Sequence, residues 1–169
     1  MNRTITNAVI SALALLAGCS FAPIRVPVPD VTIPGNNSAG FICYSPTPIT
    51  ESAPAGFNSA NYSATATYTS AEAKAATVTV YGRTTPPPTL SPSVPCVAPS
   101  ADDVLLSGPL TLTPGASQDI IVGGPEYGGA LADLIAEPSY YFGASLSGGV
   151  LLSAEERIRL TDGEISVFY

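Results

Sequence analysis

The clearest order in the chain is a period of two. Tyr62, Ala64, Ala66 and Tyr68 alternate with Ser63, Thr65, Thr67 and Thr69, the pattern of a strand with one buried face. Residues 77–81 (TVTVY) repeat it, with Val78 and Val80 on one side. Between the two, residues 70–76 (SAEAKAA) allow a helical turn, and Thr69 and Glu72 have the spacing of a capping box. Further on, apolar runs at 104–106, 110–113 and 118–122 are separated by Ser107-Gly108-Pro109 and Pro114-Gly115. Turn residues so closely set predict short antiparallel strands. Leu131, Leu134 and Ile135 are at helical spacing within 130–137, and Pro138 ends that segment. Strands are expected again at 140–146, 150–152, 157–160 and 164–169, with Asp162-Gly163 as a hairpin turn. The whole predicts a mainly all-β protein: a single antiparallel β-sandwich of about seven to nine short strands with one or two helical turns.

Proline breaks this pattern twice. Residues 26–34 (VPVPDVTIP) cannot be helical, because each proline disfavours α geometry in the residue before it. An extended run rising about 3.1 Å per residue makes 20–35 a spacer on the order of 50 Å long. That reading is preferred because proline forbids most ladder hydrogen bonds. The alternative is an apolar ribbon of Val26, Val28 and Ile33 lying in a partner's groove or along a sheet edge. Residues 84–101 (TTPPPTLSPSVPCVAPSA) form the second Pro-rich stretch, read as a loop pinned onto the same domain through Cys96.

At the N-terminus Arg3 precedes an apolar run over residues 8–17, interrupted only by Ser11. It is too short for the roughly 20 residues that a membrane-spanning helix needs, but it suits the apolar region of a signal peptide. The run ends in Leu16-Ala17-Gly18-Cys19. This motif resembles the lipobox of the bacterial lipoprotein class. The resemblance covers only the first twenty or so residues; an ordinary secretory signal followed by a chance cysteine is the plainer alternative. The resemblance implies cleavage before Cys19, diacylglycerol on its sulfur and acylation of its amine, which together meet the two-chain requirement for stable anchoring. It also implies a cell-envelope location. Ser20, where the class uses Asp for inner-membrane retention, points to the outer membrane. The expected organisation is a signal peptide at 1–18, a lipid-anchored Pro-rich tether at 19–40 and a β-sandwich domain at 41–169.

Composition narrows the chemistry. Formal net charge is −7, and without Arg3 the basic residues are Arg25, Lys74, Arg83, Arg157 and Arg159. Such a chain is repelled by nucleic acid, and none is expected as a partner. The absence of His removes Ser-His-Asp and Cys-His pairs and His-ligated metals. Residues 123–129 (GGPEYGG) lack the Lys-Ser/Thr of a P-loop and read as a wide turn. No cofactor or metal site is expected. With Cys19 used for lipid, Cys43 and Cys96 remain as a pair, and in an oxidising compartment a disulfide is favoured over two buried thiols.

Three other groups have candidate chemistry. Tyr140-Tyr141-Phe142, with Tyr127 and Tyr44, is the densest aromatic group. It suits core packing, or a platform for carbohydrate or an apolar ligand, with Tyr127, Tyr140 and Tyr141 as the binding residues. Asp102-Asp103, Glu155-Glu156 and Asp162-Gly163-Glu164 are clustered acids, expected to be solvated; a metal-assisted hydrolase would use Glu155 or Asp102. The aromatic end Ile165-Ser166-Val167-Phe168-Tyr169 resembles the last strand of outer-membrane barrels, whose strands need roughly 9–11 residues. The resulting expectation is a non-enzymatic, lipid-anchored structural or accessory module, held to the membrane through Cys19 and docking to another envelope protein or the wall polymer. A small-ligand or carbohydrate-binding module using the tyrosines is the alternative.

Overall fold

The computed structural model describes residues 22–35, 40–72, 74–88, 96–123, 128–147 and 153–169. Two antiparallel sheets pack face to face and do not close into a barrel. The first has the order β1-β11-β4-β9, with β2 also on β11. Its strands are β1 (Ile24–Val28), β2 (Val31–Ile33), β4 (Ser59–Thr69), β9 (Ser117–Val122) and β11 (Arg157–Phe168). The second has the order β6-β3-β10-β5-β7, with β8 also on β5. It comprises β3 (Ile42–Tyr44), β5 (Ala76–Arg83), β6 (Cys96–Val97), β7 (Val104–Leu105), β8 (Leu110–Leu112) and β10 (Tyr141–Ser147). One helix, α1 (Gly128–Ile135), buries Leu131, Leu134 and Ile135 as its spacing predicts.

The β-sandwich is therefore as expected, but it has eleven strands among the described residues instead of seven to nine, and β4 and β11 are eleven and twelve residues long. The central pair is β4 and β11. Alternation along β4 puts Ala60, Tyr62, Ala64, Ala66 and Tyr68 inward and the intervening Ser, Asn and Thr residues outward. β11 pairs with it from Arg157↔Thr69 to Phe168↔Ser59. Valine, isoleucine and leucine side chains make up most of the core between the sheets, and Tyr62, Tyr68, Tyr140 and Phe142 fill the space among them. Tyr62 and Phe142 meet across the two sheets with ring centroids 4.7 Å apart and planes tilted by 35°, within the separation that aromatic pairs prefer.

Several expectations need correction. Asp162-Gly163 is no hairpin turn: the register against β4 shifts between Thr161 and Glu164, which makes a bulge inside one continuous strand. Asp162 takes φ 53° there, a left-handed conformation that Asp tolerates better than most residues. The extra residue is accommodated without ending the strand.

The stretch read as a passive spacer forms β1 and β2. Ile24 to Val28 pair with Val167 to Gly163, and Val31 to Ile33 pair with Leu160 to Ile158. Val26, Val28, Val31 and Ile33 are buried. Prolines are tolerated because β1 and β2 lie at the sheet edge, where one side has no ladder to complete. Among the described residues, β1 and β2 thus belong to the first sheet although they precede residue 41.

No helix forms among the described residues of 70–76, where Ser70 Oγ accepts from the Glu72 N–H at 3.0 Å in a local turn. The expected strand at 150–152 lies outside the described residues.

The expected disulfide is present. Cys43 of β3 lies directly opposite Cys96 of β6 and is bonded to it, 53 positions away in sequence. This fixes Cys96, in the second Pro-rich stretch, to the sandwich.

Candidate functional site

Of the tyrosine group, the described members Tyr140 and Tyr141 lie on opposite faces of the second sheet. Tyr140 is fully buried and donates its hydroxyl to the Glu51 carbonyl at 3.0 Å. Burial pushes its phenol up to about 12. Phe142 is also core, whereas Tyr141 is half-buried on the outer face of the second sheet, beside Ile42, Tyr44, Val97 and Tyr81. Neighbouring residues of a strand point to opposite faces, so Tyr140 and Tyr141 cannot engage one ligand together. Tyr127 and Cys19 lie outside the described residues.

That outer cluster contains the most elaborate polar network in the described residues. Arg83 is 4% exposed. Its Nη1 is 3.3 Å from Asp103 and its Nη2 is 3.4 Å from Asp102, while Nη2 also donates to Thr85 Oγ1 at 2.7 Å. The guanidinium carbon sits 5.5 Å from the centre of the Tyr44 ring, and the Tyr44 hydroxyl donates to Asp103 Oδ1 at 2.7 Å. Burial raises the Tyr44 phenol, and the hydrogen bond to the Asp103 carboxylate raises it further. Asp103 accepts from the Ser100 N–H as well, at 2.6 Å.

Every partner in this network is engaged, so it fastens the 100–103 turn over the outer apolar cluster. The solvated reading of the acid pair holds for Asp102, whose side chain is 56% exposed, and fails for Asp103, at 2%. Nothing local in the sequence links Arg83 to Asp103.

The remaining acids stand apart. Glu156 accepts from Ser70 and from Tyr68 on one oxygen and from the Ser153 N–H on the other. These bonds, the Ser70 one foremost, hold its carboxyl below the usual range. Glu155 is exposed in the preceding turn. Glu164 pairs with Arg25 at 3.4 Å and Arg159 with Asp30 at 3.5 Å. Among the described residues no three acidic or cysteine side chains gather as a metal would require.

The first sheet has two unlike edges. β1 and β2 contain Pro27 and are joined by Pro29, a device that blocks pairing with a further strand. β9 pairs only with β4 among the described residues, and its sequence, SQDIIV, has neither proline nor lysine. Ile121 is 73% exposed on it, the most exposed of the large apolar side chains described. No protein-family model fits the chain, and no curated protein aligns with it significantly.

Proposed function

We propose that this chain is a lipid-anchored, non-enzymatic accessory module of the bacterial cell envelope, which docks to another envelope protein by strand addition at β9. The observation that carries the reading is the edge at β9, which has no second partner strand among the described residues. A strand with free N–H and C=O groups along one side is a template for a further strand, and in strand addition the backbone supplies affinity while side-chain pockets supply specificity. β9 offers both, as an unguarded ladder and the exposed Ile121. The Leu16-Ala17-Gly18-Cys19 motif supports attachment through Cys19, and Ser20 supports the outer membrane as destination.

The test is the native size of the lipidated protein after mild detergent extraction from its own envelope. Migration within a large complex is expected, with release by Ile121→Lys, which places a charge on the docking edge. A wild-type protein that runs alone overturns docking. Separately, Cys19→Ser is expected to move the protein out of the membrane fraction, and retention there overturns the lipid anchor.

A further inference from the structure

The outward face of the first sheet carries rows of hydroxyls that converge on two arginines. Register sets Thr69 beside Arg157, Thr67 beside Arg159 and Thr65 beside Thr161 across β4 and β11. The middle row extends to Thr32 on β2 and to Ser117 on β9. These side chains point away from the core, because their strand neighbours Ala66, Tyr68, Ile158 and Leu160 are buried. Strands about 4.8 Å apart and outward residues about 7 Å apart along each strand make this a regular grid. Thr67, Thr69, Arg157, Arg159 and Thr161 border a hollow of about 390 Å³.

The arginines are available. Arg157 makes no ion pair among the described residues. Among the described residues Arg159 pairs only with Asp30, at 3.5 Å, with the two side chains 53% and 52% exposed, a pair that contributes little and exchanges readily. Two of the six basic residues in an acidic chain therefore border one hydroxyl-rich hollow. Guanidinium groups match carboxylates in bidentate geometry, and threonine hydroxyls both donate to and accept from sugar hydroxyls. The site lies on a sheet face, which suits a chain laid across the strands more than an enclosed small molecule.

We propose that this face binds an acidic polysaccharide strand. A carboxylate sits between Arg157 and Arg159, and sugar hydroxyls pair with Thr69 and with Thr65 and Thr67, whose long, exposed contacts to Asp119 at 3.4 Å and Ser117 at 3.3 Å leave their hydroxyls able to accept. Asp30 beside Arg159, Asp119 opposite Thr65 and Glu155 in the turn before Arg157 confine the positive region. Together with the net charge of −7, they favour spaced carboxylates over a dense polyanion.

The proposal goes beyond strand addition at β9 and depends on neither that edge nor the lipid. The test is calorimetric titration of the full-length protein in a non-ionic detergent. The probes are oligogalacturonate, oligoalginate, hyaluronan oligosaccharide, a neutral cello-oligosaccharide and inorganic phosphate. At least one of the three uronates is expected to bind, while the neutral chain and phosphate do not. Arg157→Gln and Arg159→Gln should each weaken binding about tenfold. Thr67→Val with Thr69→Val should weaken it without lowering the melting temperature. The proposal is overturned by failure of all three uronates, by phosphate binding as tightly as they do, or by arginine variants that bind as wild type. None of these outcomes alters the native complex size, so the two proposals fail separately.

Discussion

Arg83 shows how much one side chain can fix on this fold. Its charge is out of water, and its attraction to Asp103 only offsets the desolvation of both groups. The pair therefore acts mainly as a constraint, and removing one member leaves the other uncompensated. Arg83→Met is expected to lower unfolding stability by about 3–5 kcal/mol, measured by urea denaturation. Tyr44→Phe removes a single hydrogen bond to a buried carboxylate and should lower it by about 1–3 kcal/mol. The two costs should not add, because both residues act on Asp103.

Glu156 gives the fold a dependence on acid. Its folded carboxyl lies below the ordinary value of 4.5, so the folded state binds this proton less readily than the unfolded chain. Its contribution is complete above that value and is lost as pH falls through the folded one. Melting temperature measured against pH should therefore fall less on acidification in Glu156→Gln than in the wild type. An equal slope in both proteins would show that Glu156 plays no part.

At the scale of elements, the edge formed by β1 and β2 is the instructive case. Ile33 is fully buried between the sheets, and Ile33→Ala should cost about 2–5 kcal/mol, seen in the same denaturation experiment. A free spacer would show no change.

The sequence made β4 and α1 legible because each has one buried face at a fixed period, two for the strand and near 3.6 for the helix; β5 showed through its alternating valines, although Thr79 and Arg83 are buried on its other face, and β9 through the turn residues around it. It hid β1 and β2 because the rule against proline in a ladder applies in full only to strands paired on both sides. It hid the continuity of β11 because Asp-Gly supplies positive φ equally well to a turn or a bulge, and only the partner strand decides between them. The outward grid was less legible still. Thr65, Thr67 and Thr69 are visible in the alternation, but their alignment with Arg157 and Arg159 is a matter of register between strands far apart in sequence.

For the whole molecule, the Cys43–Cys96 bond decides whether the second Pro-rich stretch belongs to the fold. β6 has only two residues and lies at the sheet edge, too little ladder to hold so long a connection unaided. The bond restricts the unfolded chain, and for a loop of this length the chain-entropy model gives about 4 kcal/mol. In a domain of this size that amounts to roughly 8–16 °C in melting temperature.

The same bond keeps the chain beyond Cys96 close to β3. The 100–103 turn, and with it Asp102 and Asp103, can then close on Arg83 and Tyr44. Reduction should therefore lower the melting temperature by that amount and also weaken the network. The replacement Cys43→Ala with Cys96→Ala should make Arg83→Met less costly than it is in the oxidised protein. If Arg83→Met costs the same in both backgrounds, the turn is held by the arginine alone, and the disulfide serves only the edge strand.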